Sequence, residues 1–77
     1  MSRLYLVSLE RAGQMLAGAC FLADSAAAAR QIGEARLTDL SGLPEKMVAR
    51  LELELEAGYT VRAVPSRAKL SNAINLS

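Results

Sequence analysis

The sequence predicts a small α+β fold: a two-layer sandwich in which a three-stranded antiparallel sheet carries two helices on one face, in the order β-β-α-α-β. Three observations predict it. Two apolar runs rich in strand formers, residues 4–9 and 15–22, flank a short polar segment. The pair Asp24-Ser25 precedes Ala26-Ala27-Ala28-Ala29, a capping signal followed by the best helix-forming run in the chain. A third strand-forming run, residues 59–64, is stopped by Pro65. Strands that come in hairpins, with helices grouped between them, favour a layered α+β arrangement.

The first strand is apolar on both sides. Leu4, Leu6 and Ser8 project one way and Tyr5, Val7 and Leu9 the other. That suits a central strand covered on both faces, or one whose second face is covered by a partner. Glu10-Arg11-Ala12-Gly13-Gln14 reads as a hairpin loop of three to five residues, with Gly13 supplying a positive φ. The first helix runs from Asp24-Ser25 to about Arg36, and its small alanine face permits close approach to a sheet. Gly33 weakens its second half by about 1 kcal/mol relative to alanine. Asp39, Ser41 and Gly42 mark the connection that follows.

Residues 44–58 carry two patterns. As a helix, Pro44 stands at the first position and Gly58 just past the end. Leu43, Met47, Val48, Leu51 and Leu55 then share one face, and Leu53 points away from them. As a strand, Leu51-Glu52-Leu53-Glu54-Leu55-Glu56 alternates without error. The acidic residues at a helix C-terminus, and the repulsion of Glu52 and Glu56 one turn apart, support the strand. The helix is favoured, because nearly every residue is a good helix former and glutamate is poor in strands. Ala-Gly is also a poor hairpin turn. Residues 66–77 read as a flexible tail, or as one amphipathic turn carrying Leu70 and Ile74.

The whole chain of 77 residues is one domain, residues 1–77, near the lower limit for an unaided core. Without staples, such a chain is stable by about 3 to 5 kcal/mol. It has no histidine, no tryptophan and one cysteine, Cys20. An internal disulfide, a structural zinc and a Cys–His nucleophile are thereby excluded, and Cys20 reads as a small buried hydrophobe. The five glycines build no phosphate-cradling spacing. No catalytic residue, metal ligand or cofactor is assigned, and the chain reads as non-enzymatic. No apolar stretch approaches the ~20 residues of a membrane span, and Glu10 and Arg11 break any leader-like run. The expected location is the cytoplasm.

What remains is binding. Charge is segregated along the chain: residues 39–56 hold five acids and two bases, and residues 57–77 hold Arg62, Arg67 and Lys69 with no acid. Glu52, Leu53, Glu54 and Glu56 form a candidate anchor with a charged rim. Arg62, Arg67 and Lys69 form its basic counterpart, able to steer a partner or contact phosphate. A net charge of +1 disfavours a general nucleic-acid binder. The alternative role, a small nucleic-acid-binding or regulatory protein, would rest on those three cations. An exposed strand edge, that of residues 4–9 or 59–64, could pair with another chain or with a second copy.

In length and element order, with Tyr5-Leu6-Val7-Ser8-Leu9 ahead of the alanine-rich helix at Asp24-Ser25-Ala26-Ala27-Ala28-Ala29, the chain resembles small phage and mobile-element proteins, among them the anti-CRISPR proteins. The resemblance implies a stoichiometric inhibitor that docks on a host multisubunit CRISPR complex and blocks target-DNA access or nuclease recruitment. It assigns no residues.

Overall fold

The computed structural model describes residues 2–66. Its elements are β1 (Arg3–Arg11), β2 (Gln14–Ala23), α1 (Ala26–Leu37), α2 (Glu45–Glu56) and β3 (Thr60–Pro65). The strands form one antiparallel sheet in the order β2-β1-β3. This is the α+β fold, in the β-β-α-α-β order, that the sequence predicts; α1 packs against all three strands, whereas α2 meets the sheet at its turn end. Of the predicted tail only Ser66 lies among the described residues; Leu70 and Ile74 lie outside them.

Three local expectations need correction. The hairpin loop is two residues long, not three to five, because Arg11 pairs directly with Gln14. Ala12 and Gly13 both take positive φ, 52° and 78°. Two-residue hairpins need that handedness to match the twist of the strands, and the demand overrides alanine's dislike of it. Ala12→Asn should therefore stabilise the fold by about 1 kcal/mol, since asparagine tolerates the left-handed region. A urea titration reads this as a higher midpoint at unchanged slope. The second correction concerns edges. Residues 4–9 lie in the central strand, so among the described residues the free edges belong to β2 and β3. The third concerns Cys20, which is exposed rather than buried.

Residues 44–58 are helical. Pro44 is the N-cap of α2 rather than its first helical residue, and it offers no side-chain hydrogen bond. Ala57 closes the C-terminus, and the Gly58 N–H donates to the Leu55 carbonyl. α1 is better anchored. Ser25 is its N-cap and accepts from the Ala28 N–H at 3.1 Å, and Arg36 stands in its last turn, where a cation suits the helix dipole.

The odd-numbered side chains of β1 face α1. Tyr5, Val7, Ala23 and Ala29 form the buried cluster, with Phe21, Ala28, Leu37, Val61 and Ala63 packed around it. Val7 is flanked across the sheet by Ala19 and Ala63. Ala29 and Gly33, one turn apart, are the buried residues of α1. Small residues on both layers bring helix and sheet together: a Cβ built on Gly33 would stand 2.7 Å from Val7 Cβ. Gly33 is thus a packing device rather than only the weak point that helix propensity suggests. α2 buries no residue fully, but Val48, Leu51 and Leu55 are half-buried.

Candidate interaction surface

Strand parity builds this surface. Leu4, Leu6, Ser8 and Glu10 leave β1 on the side away from α1. The register sets Leu22 beside Leu4, Cys20 beside Leu6 and Gly18 beside Ser8. On the other flank it sets Val64 beside Leu6 and Arg62 beside Ser8. Leu4, Leu6, Cys20, Leu22 and Val64 therefore form one apolar patch. Leu22 is 53% exposed, Cys20 is exposed, and Leu4, Leu6 and Val64 are half-buried. Towards the turn the face becomes polar: the Ser8 hydroxyl donates to a Glu10 carboxylate oxygen at 2.7 Å, and Arg62 stands beside Ser8.

α2 meets the sheet at the turn end. A bulge between Leu9 and Glu10 leaves Leu16 as the extra residue of β2 and sets Met15 opposite Glu10. Arg11 Nη1 donates to the Glu54 carbonyl at 3.2 Å. Met15, Leu16, Met47 and Leu51 line a cleft there, rimmed by Arg50 and Glu54. Tyr59 makes a further tie between layers: its hydroxyl donates to Glu34 Oε1 at 2.9 Å and joins the approach to β3 to α1.

That bond has a pH signature. Donation to the Glu34 carboxylate raises the Tyr59 pKa above its ordinary 10.0. The raised value means that the bond contributes below the unfolded pKa and is lost as pH rises through the folded one. In Glu34→Gln the phenolate should form at lower pH than in the native chain, as read by phenolate absorbance. Just past the C-terminus of α1, Asp39 is held below the usual carboxylate range, chiefly by the Ser41 hydroxyl and then by the Ser41 N–H.

Of the residues singled out from sequence, Glu52, Leu53 and Glu56 are exposed on α2, with Leu53 at 70%. Glu54 is half-buried at the cleft. Arg62 is on the sheet face away from α1, while Arg67 and Lys69 lie outside the described residues. Among the described residues no ion pair joins Arg62 to the glutamates of α2. The structure sets Arg62 on β3 and the acidic candidates on α2.

The apolar patch itself was not singled out from sequence. Its signal was the double-sided apolarity of residues 4–9. Among the described residues no group of three or more His, Cys, Asp or Glu side chains could hold a metal, and no helix is long and apolar enough to cross a membrane. No family model, curated protein or solved structure matches this chain.

Proposed function

We propose that the protein is a non-enzymatic protein-binding module whose docking surface is the sheet face opposite α1. The observation that carries this reading is the patch of Leu4, Leu6, Cys20, Leu22 and Val64. A central strand apolar on both sides needs two covers, and among the described residues α1 supplies one while α2 meets the turn end. Covering such a patch contributes about 25 cal/mol per Å². The occupant that fits is a protein surface apolar at its centre, with an acidic group placed to meet Arg62. The resemblance in size and element order extends the proposal to a mobile-element inhibitor docking on a host multisubunit complex such as a CRISPR effector.

The test compares tagged native protein with Val64→Lys in capture from host lysate, with nuclease treatment and washes at low and high salt. Val64 lies on β3 at the patch and is only half-buried, so a lysine there should leave the circular dichroism unchanged. The expected result is one stoichiometric protein complex that survives salt and nuclease with the native chain, and at least a tenfold loss with the variant. Nucleic acid that leaves with salt would instead favour the regulatory alternative.

A further inference from the structure

We infer that the protein forms a two-fold dimer by antiparallel pairing of β2 with the β2 of a second copy, centred on Cys20. The inference uses the edge of the sheet and does not rest on the partner-binding role of its face.

Hydrogen-bond parity identifies the free edge. The Ser66 N–H donates to the Leu4 carbonyl at 2.9 Å, in register with the β1–β3 ladder. The even-numbered residues of β1 therefore bond to β3, and by alternation the odd-numbered ones bond to β2. Across β2 those partners are Ala17, Ala19, Phe21 and Ala23. Gly18, Cys20 and Leu22 then turn their N–H and C=O groups outward. Towards the turn end α2 stands beside Met15 and Leu16, so the free stretch is residues 18–22.

Sheets usually blunt such edges with charge or proline. β3 does so: Arg62 lies within it, and Pro65, whose backbone faces outward, has no N–H to offer. β2 reads Gln14-Met15-Leu16-Ala17-Gly18-Ala19-Cys20-Phe21-Leu22-Ala23, ten residues without a charge or a proline. A second copy meets no like charge there, and the chain's net charge of +1 adds little repulsion.

In the two-fold register Gly18 faces Leu22 of the second copy and Cys20 faces its counterpart. Each such pair exchanges two backbone hydrogen bonds, and the two patches join into one face of six strands. Because the contact is smaller than the roughly 1,200–2,000 Å² of a standard interface, the dimer dissociates on dilution. Directly paired residues of this kind have Cα atoms about 5.5 Å apart, within disulfide reach.

Sedimentation equilibrium under reducing conditions tests the inference across a concentration series. Native protein and Cys20→Ser should move from the 8.2 kDa monomer towards twice that mass as concentration rises. Cys20→Lys sets two cations opposite each other and should stay monomeric with unchanged circular dichroism. As an independent measurement, diamide should link the native protein through Cys20 at the concentrations where the dimer is populated, two thiols becoming one disulfide as diamide takes up two electrons and two protons. A native chain that stays monomeric at every concentration, a dimer indifferent to Cys20→Lys, or the absence of a linked dimer would overturn it.

Discussion

Gly33→Ala should destabilise the protein by about 2 kcal/mol, although alanine is the better helix former by about 1 kcal/mol. The sign depends on what the new methyl meets. Gly33 is buried in α1, and the methyl would fall 2.7 Å from Val7 Cβ and 2.9 Å from Val7 Cγ2. No side-chain rotation moves the Val7 Cβ aside. Val7 is wholly buried and sits in the central strand, hydrogen-bonded into a sheet with Ala19 and Ala63 on either side. The helix must therefore lift, loosening Ala29 from the same cluster. Overpacking of this kind costs 1 to 3 kcal/mol, beyond the gain in propensity. Thermal unfolding should show a midpoint lower by roughly 8–16 °C. The decisive control is the double variant. Val7→Ala removes the two obstructing Cγ branches and leaves only the Cβ close to the new methyl, so adding Gly33→Ala on top of it should cost clearly less than in the native background. A cost equal to that in the native background would show that the two residues are not coupled, and the close-approach account would fail.

This contact explains why part of the fold was legible in the sequence and part was not. Order and type of the elements follow from local signals: the Asp24-Ser25 cap, the alanine run and the strand formers before Pro65 all act within a few residues. The helix at residues 45–56 follows from local propensity too, and it prevails over the Leu51–Leu53–Leu55 alternation by leaving Leu53 in solvent. Gly33 and Val7 are 26 positions apart in the chain, and nothing local marks their meeting. The Ala12-Gly13 turn shows the same limit. Alanine resists a positive φ locally, but the pairing of Arg11 with Gln14 imposes it.

The interaction surface divides along the same line. That β1 has two apolar sides could be read from alternation alone. Which side α1 covers could not, because that depends on how the chain crosses the sheet after Ala23. Cys20 was misplaced for this reason. Its apolar neighbours suggest a core position, whereas its parity in β2 sets it beside Leu6 on the face away from α1. Charge counting works along the chain alone: it divides the acidic residues 39–56 from the basic residues 57–77, and the fold sets the glutamates on α2 and Arg62 on β3.

Leu9→Ala should leave the chain largely unfolded at 25 °C. Leu9 is 1% exposed, on the α1-facing side of β1 but outside the cluster of Tyr5, Val7, Ala23 and Ala29. It occupies the turn end of its row, with Ala17 and Val61 beside it, immediately before the bulge. Its cross-strand neighbour on β2 is only an alanine, so little side chain there could collapse into the space left behind. A leucine-to-alanine change at a closed site costs 2 to 5 kcal/mol, and the low end requires relaxation that a hydrogen-bonded central strand resists. A domain this short has only about 3 to 5 kcal/mol in total. Loss and reserve are therefore equal in size, which is not so in a domain twice as long. Leu9→Ile keeps the volume and should cost less than about 1.5 kcal/mol, leaving the chain folded. Circular dichroism of the two variants, followed by urea titration, separates the explanations. If both unfold, side-chain shape rather than cavity formation governs the site; if neither does, the turn end of the sheet contributes little to stability. Because α2 meets the sheet at that same end, through Arg11 and the cleft beside Met15, native-state hydrogen exchange in Leu9→Ile should rise first in α2 while α1 remains protected.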